Sequence, residues 1–304
     1  MKTIYSKKYS LHNSLTELSG GKLVKPFETS ERVKFILNEI SNRKLGPILE
    51  AKDQDLDIIY KVHDKNYVKF LETAWDEWIK EGFKGEAIPT VWPSRSMNSK
   101  IIPNNIEGKL GYYCLANETS ISQGTIEGAY ESVKIALTAA EILQNEKSIF
   151  ALCRPPGHHA SNDQYGGYCF FNNIAIAAEK LIEAGAKKIF ILDIDFHHGN
   201  GTQDIFYERG DVLFASIHGQ PEDSYPYYSG YVDETGEGDG AGCNFNFPMP
   251  PGTRYETWAQ ALNEAIFHIQ KFSAEALIVS LGVDTYKEDP ISFFCLETAD
   301  YLQC

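Results

Sequence analysis

This chain of 304 residues has no C-x-x-C pair and no cysteine spacing that would frame a disulfide scaffold or a thiolate metal finger. Its six cysteines, Cys114, Cys153, Cys169, Cys243, Cys295 and Cys304, are scattered. The expectation is reduced thiols in a cytoplasmic protein. The chain is also short of positive charge, with 28 basic residues against 42 acidic ones and a net charge of −14. That balance disfavours a nucleic-acid partner, whose phosphates need cations, and favours a cationic ligand. No apolar run is long enough to cross a membrane, and Met1 to Asn13 is polar and lysine-containing where a secretion signal would be apolar. Low-complexity tracts and self-similar periods are missing too. With 43% hydrophobic residues, the chain reads as an ordinary folded protein with a sizeable core.

What is present is an alternation. From Ile149 onward short apolar runs alternate with amphipathic segments, the pattern of strand, crossover helix, strand. It predicts strands over 148–153, 188–194, 211–217, 243–247 and 276–281, and helices over 125–145, 171–184, 202–208 and 254–272. Upstream, Thr29 or Ser30 is placed to cap a helix reaching about Asn42, and Asp64 to cap another through Val68, Leu71, Trp75 and Ile79. Periodicity fails between Gly82 and Gln123, so residues 82–123 are expected to form a long insertion loop. Loops of that length inside compact domains usually serve function or an interface. A single α/β domain over 1–304 accommodates the whole pattern.

Three strand ends carry chemistry. The run Ile189-Phe190-Ile191-Leu192-Asp193-Ile194-Asp195-Phe196-His197-His198-Gly199-Asn200-Gly201 reads as a buried parallel strand ending in acid and imidazole groups. Side chains two apart in extended chain point to one side, so Asp195 and His197 are placed to share an ion. A second cluster, Arg154-Pro155-Pro156-Gly157-His158-His159, follows the strand at 148–153 and offers imidazoles on a stiff turn. A third, Ser280-Leu281-Gly282-Val283-Asp284, brings another carboxylate to a strand end. Ligands gather beyond the carboxyl ends of parallel strands. Asp195, His197 and Asp284 would give two oxygens and one nitrogen and leave a position open, as in a catalytic site. Zinc suits this set best, and Fe(II), Co(II) or Mn(II) also fits an open oxygen and nitrogen site.

Four ordered motifs resemble the histone deacetylase superfamily. They are Arg154-Pro155-Pro156-Gly157-His158-His159, Gly166-Gly167-Tyr168-Cys169-Phe170-Phe171-Asn172-Asn173, Asp193-Ile194-Asp195-Phe196-His197-His198-Gly199-Asn200-Gly201-Thr202-Gln203 and Leu281-Gly282-Val283-Asp284-Thr285. Within that superfamily the chain is similar to the bacterial acetylpolyamine amidohydrolase branch through Thr16-Glu17-Leu18, the insertion and Gly111-Tyr112-Tyr113-Cys114. The resemblance covers essentially the whole chain. It implies an arginase-deacetylase fold, a three-layer α/β/α arrangement around a central, mainly parallel sheet, with one zinc on Asp195, His197 and Asp284. It further implies that His158 and His159 flank the attacking water, with Asp193 behind His158 and Asn200 behind His159. His159 would act as base and then acid, and His158 mainly as an electrostatic partner. Gly167, Tyr168 and Tyr225 would line a narrow tunnel. A structural potassium ion would use the side chains of Asp193 and Ser216 and the carbonyls of Asp195, His197 and Ile217. A second would lie near Phe206, Arg209, Val212 and Cys243. Glu17, Glu107 and Glu118 match acidic positions at the mouth that would receive distal ammonium groups. The insertion, with Phe83, Trp92, Tyr112 and Tyr113, would form a homodimer contact narrowing the entrance.

The superfamily carries a catalytic tyrosine in a Gly-Gly-Tyr motif one strand beyond its last zinc ligand. Only 20 residues follow Asp284, and none forms that motif. The implied reading is a chain without the carboxyl-terminal part of the domain, its last strand included. Tyr301 matches a different, helical position and is expected to be a packing tyrosine. The expected function is zinc-dependent removal of acetyl groups from acetylpolyamines or similar small cationic acetyl-amines, with no membrane or nucleic-acid partner. Two alternatives stand beside it: deacetylation of acetyl-lysine in proteins or peptides, and a catalytically impaired metal-binding homologue lacking the tyrosine.

Overall fold

A computed structural model describes residues 1–303, and Cys304 lies outside the described residues. The chain divides into two compact units, Met1–Lys180 and Leu181–Cys304.

The first unit is built on a three-stranded parallel sheet in the order β4-β1-β5, from β1 (Lys2–Tyr5), β4 (Ile48–Glu50) and β5 (Ile149–Ala151). A small antiparallel hairpin, β2 (Glu17–Ser19) with β3 (Lys22–Val24), lies between β1 and α1 (Glu31–Asn42) in the chain. Only β5 was expected from the sequence. Strands of three or four residues are too short to show alternation, and their pairing comes from tertiary contact. Ser30 occupies the cap position of α1 without making a side-chain cap bond. Asp64, in contrast, caps α2 (Lys65–Lys80) as expected, its carboxylate accepting from the amides of Asn66 and Tyr67. The long helix α4 (Thr125–Leu143) packs Ile135 and Ala139 on Ile4 of the central strand. Burying an aliphatic side chain of that size contributes about 1.5–3 kcal/mol.

The insertion departs from expectation in one respect. Residues 82–123 are not loop throughout, because α3 (Ile106–Tyr113) forms within them. Asn105 caps it by accepting from the amide of Glu107. Gly108 and Gly111 hid its periodicity, and Gly111 has its own reason to be glycine: a Cβ there would lie 1.7 Å from the carbonyl oxygen of Val91. The helix α5 (Asn173–Glu183) then carries the chain out of this unit.

The second unit matches the predicted pattern strand for strand. Its parallel sheet runs β8-β7-β6-β9, from β6 (Ile189–Asp193), β7 (Val212–Gly219), β8 (Asn244–Met249) and β9 (Ala276–Ser280). β6 and β7 are buried along their whole length, as continuous apolar runs in parallel sheets should be. The short α6 (Asn200–Phe206) follows β6. α7 (Tyr255–Phe272) lays Trp258, Ala261 and Ala265 against a core of Phe190, Leu192, Leu213, Ala215 and Ile217. Parallel register sets Asp193 beside Ser216 on one side and Ser280 on the other. The carboxyl ends of β6 and β9 therefore lie at one level, with Ser216 beside them and β7 running on to Gly219.

Candidate functional site

In the second unit Asp195, His197 and Asp284 come together, each offering one ligand atom, with these atoms all within 4.8 Å of one another. The way Asp195 and His197 reach a common side differs from the expected extended chain. β6 ends at Asp193, and a bend follows. Asp193 Oδ1 accepts from the Asp195 amide at 3.1 Å, and Asp195 Oδ1 accepts from the His197 amide at 2.8 Å. Two successive aspartate turns thus replace the strand and aim both ligands alike. Asp284 arrives on the segment after β9, where its Oδ1 accepts from the Phe196 amide at 2.9 Å. Its approach needs Gly282: a Cβ at that position would sit 2.2 Å from Asp195 Oδ2 and 2.5 Å from Asp195 Cα.

His197 Nδ1 lies 2.9 Å from Asp284 Oδ2 and 3.2 Å from Asp195 Oδ1. Burial opposes charge on this imidazole, yet the hydrogen bonds and charges of the two aspartates raise its pKa to about 10. Burial, and then the facing Asp195 charge, push the Asp284 carboxyl up to about 6. Two carboxylates held this close are stable only with positive charge between them, a proton on His197 or a metal ion. Two oxygens and one imidazole nitrogen with side chains 14–21% exposed fit zinc with room for further ligands.

Around this corner the remaining named residues of the unit take definite places. Asp193 and Ser216 are fully buried side by side. Gly199 is pressed against Asp193, where a Cβ would meet Oδ2 at 2.3 Å. Ile217 is buried on β7, and Asn200 starts α6 with its amide on the His198 carbonyl at 2.8 Å. Tyr225 stands edge-on to His197 with ring centroids 6.1 Å apart. Arg209, named beside a second cation site, pairs with Asp211 at 2.7 Å. Its amide takes the Phe206 carbonyl at 3.0 Å. His198 does not join the metal corner, since its Nε2 is 3.1 Å from both Gln203 Oε1 and Asn246 Oδ1. His218, which sequence reasoning passed over, bridges Ser216 Oγ and the Gly230 carbonyl at 2.9 Å each. Tyr301 is a packing residue as expected, its hydroxyl held by Thr285 Oγ1 at 2.7 Å.

In the first unit the turn after β5 carries His158 and His159, both buried, with ring centroids 3.9 Å apart. The turn is fixed from several directions. The Pro155 carbonyl accepts from Ser132 Oγ at 2.7 Å and Asn173 Nδ2 at 3.1 Å. Asn172 Nδ2 holds the Ala160 carbonyl at 3.0 Å, while its Oδ1 caps α5. Arg154, 3% exposed, forks onto Glu28 at 2.8 and 2.9 Å and donates to the His12 and Tyr9 carbonyls. Glu28 is a residue that the sequence reading missed, since nothing in its spacing points to Arg154.

Gly167 and Tyr168 form a left-handed turn with φ of +53° and +64°. A Cβ at Gly167 would lie 2.1 Å from His159 Cδ2, so glycine is required there. A left-handed tyrosine costs about 1–2 kcal/mol, which the surroundings offset. Gly167 donates its amide to Glu118 Oε1 and Tyr168 its amide to Thr119 Oγ1, both at 2.7 Å. The Tyr168 hydroxyl donates to Glu17 at 3.1 Å. Burial raises the Glu17 pKa against the lowering effect of the Phe27 amide and Tyr168. Glu17, Glu118 and Tyr168 are therefore brought together, whereas Glu107 is exposed in the first turn of α3.

The histone deacetylase domain family matches residues 26–304. An acetylpolyamine amidohydrolase of Mycoplana ramosa is 52% identical over 99% of this chain and 89% of its own length. Acetylpolyamine amidohydrolase 2 of Pseudomonas aeruginosa is 48% identical over 100% of this chain and 88% of its own. Among solved structures, an acetylpolyamine aminohydrolase from Burkholderia pseudomallei superimposes with a TM-score of 0.93 at 36% identity, covering 100% of this chain and 88% of that one.

Proposed function

The chain belongs to the histone deacetylase family, and from that membership we propose that it is a zinc-dependent amide hydrolase that removes acetyl groups from acetylpolyamines, giving acetate and a free amine. The convergence of Asp195, His197 and Asp284 carries the hydrolase reading. The substrate class is supported by the likeness to curated acetylpolyamine amidohydrolases, and the chain shares the three-layer deacetylase fold of the Burkholderia pseudomallei acetylpolyamine aminohydrolase.

Asp195, His197 and Asp284 would hold the zinc, whose chemistry when bound is to polarise the acetyl carbonyl and acidify a water. The rest falls to the chain's own groups. His159 would take the proton of the attacking water and return it to the departing nitrogen as the C–N bond breaks, with His158 beside it bearing on its charge. Asp193 and Asn200 are assigned to orienting these imidazoles. Gly167, Tyr168 and Tyr225 are assigned to the walls for the alkyl chain, and Glu107 and Glu118 to the ammonium end. The same reading assigns a potassium ion to Asp193, Asp195, His197, Ser216 and Ile217, of which Asp193 and Ser216 are adjacent and fully buried. It takes 1–304 as one catalytic domain working as a cytoplasmic homodimer. The insertion would form the contact through Phe83, Trp92 and Tyr112, with Val91, Met97 and Ile101, all more than half exposed, beside them, while Tyr113 is buried within the chain. Among the described residues no helix is long and apolar enough to cross a membrane.

The test is acetate release by the zinc-loaded protein from N-acetylputrescine and from an acetyl-lysine peptide. A kcat/KM at least about tenfold higher for N-acetylputrescine is expected, roughly 1.4 kcal/mol of discrimination. Equal or better use of the peptide would move the assignment to protein deacetylation, and no release from either would remove it.

A further inference from the structure

The segment that reaches Tyr168 from outside begins before residue 26, where the matched family domain starts. Glu17 lies on β2 of the amino-terminal hairpin and is 3% exposed. Its Oε2 accepts from the Phe27 amide at 3.1 Å, and its two oxygens lie 3.1 and 3.3 Å from the Tyr168 hydroxyl. A carboxylate that captures an ammonium group must turn lone pairs toward the incoming ligand. This one is spent inside the fold on a main-chain amide and a phenol.

Tyr168 has the complementary properties. Unlike Glu17 it is only partly buried. Its backbone is left-handed, and it follows a second left-handed residue whose neighbour is the His159 ring. Such a conformation persists only where surroundings over-determine it. Thr119 fixes its amide, Glu118 fixes that of Gly167, and only Glu17 fixes the direction of the phenol among the bonds described above. The strap bearing Glu17 is itself tied at both ends by one buried cation, for Arg154 grips the Tyr9 and His12 carbonyls before the hairpin and Glu28 after it.

We infer that Glu17 is a positioning residue that shapes the substrate tunnel by holding the Tyr168 phenol, and that it does not itself bind the substrate's ammonium group. This rests on the acetylamine reading above, and it gives the amino-terminal hairpin a role in specificity.

The experiment compares wild type, Glu17→Gln, Tyr168→Phe and the double variant, all as full chains loaded with zinc. Two substrates of matched length are used, N-acetylputrescine with a charged tail and N-pentylacetamide with a neutral one. Each single variant is expected to raise KM for both substrates by a similar factor, on the order of tenfold, with kcat little changed, and the double variant is expected to be no worse than the poorer single. A merely structural defect would lower the active fraction and hence kcat, leaving KM alone. If Glu17→Gln harms only the charged substrate, or adds its full effect to that of Tyr168→Phe, the inference is overturned. Calorimetric binding of N-acetylputrescine and N-pentylacetamide to the same four proteins separates it from the functional reading. An enzyme that releases no acetate loses the reading, while the pattern of binding losses still decides the role of Glu17. Absence of binding by the wild type overturns the inference as well.

Discussion

Asp195 and Asp284 in the second unit face one another across His197, whereas Glu17 in the first unit turns its two oxygens toward a main-chain amide and a phenol. Burial raises the pKa of Asp284 and of Glu17 alike. The next influence differs. For Asp284 it is a second carboxylate, which raises it further; for Glu17 it is the Phe27 amide, which lowers it. A carboxylate whose strongest neighbour is another carboxylate is arranged for a cation, and one whose strongest neighbour is an amide is arranged for the fold. Metal content should therefore depend on the two aspartates and be indifferent to the glutamates of the first unit.

The largest expected effect breaks that contrast at its centre. Asp195→Ala should abolish stoichiometric zinc and reduce turnover by about 10³-fold, since each factor of ten is about 1.4 kcal/mol and a lost metal ligand removes several. Glu118→Ala should retain one zinc per chain by metal analysis. Unchanged zinc in the first variant would sink the ligand assignment. Next in size is the buried ion pair of the first unit. Arg154→Met removes the buried cation that forks onto Glu28, leaving it only the exposed Arg32 at 3.9 Å, and should cost about 3 kcal/mol, a fall in Tm of several degrees to about 10 °C. Zinc content should survive, because none of the Arg154 partners is a proposed ligand. Loss of zinc in step with Tm would show that the two units do not keep their tasks apart.

Two glycines give a matched and smaller pair. Gly282→Ala drives a methyl group against Asp195, and Gly167→Ala drives one against His159 on a left-handed backbone. Each should cost about 1–3 kcal/mol of stability through overpacking. The first should weaken zinc binding and the second should leave it intact while lowering turnover. Gly85→Ala, with nothing within 4 Å of the added carbon, is the control and should move neither. If Gly282→Ala binds zinc like the wild type, the close approach of the two strand ends is not what sets the ligand geometry.

The same contrast explains what could be read from the sequence. The metal corner was legible because it is local: each ligand sits just beyond an apolar run that can only be a buried parallel strand, and register lines up the ends. Even there the reason was incomplete, for Asp195 and His197 share a side through aspartate turns and not through extended chain. The support of Tyr168 was not legible. Glu17 is 151 positions from Tyr168 and Glu28 is 126 from Arg154, and a hairpin of three-residue strands has no periodicity to announce it. Glu17 was noticed only through family resemblance, and as a mouth carboxylate. The α3 helix was hidden by its own glycines, and His218 by lying inside a strand where a buried histidine reads as core.

The smallest effect is a slope. Burial, with the Arg154 charge second, lowers the His12 pKa to about 3, and burial lowers His63 and His218 to about 4. All three folded values lie below the unfolded value near 6.5, so the folded protein binds fewer protons than the unfolded chain on the acid side. Their contribution to stability is complete above about pH 6.5 and is lost as pH falls toward 4 and 3, at up to about 1.4 kcal/mol per pH unit for each imidazole. In the metal-free protein His197 has the opposite sign. Its raised pKa adds stability that is full below about pH 6.5 and lost only as pH rises toward 10, so it does not add to the acid loss. The histidines with lowered pKa differ by unit: His12 and His63, both buried, belong to the first unit, and buried His218, with the partly exposed and also lowered His268, to the second. Acid should accordingly loosen the first unit sooner. Hydrogen exchange between about pH 7 and 5 is expected to show opening free energies falling more steeply for amides of α4 than for those of β7. Equal slopes would show that acid stability is shared by the whole chain, and a flat profile would show that these imidazoles are charged in the folded protein.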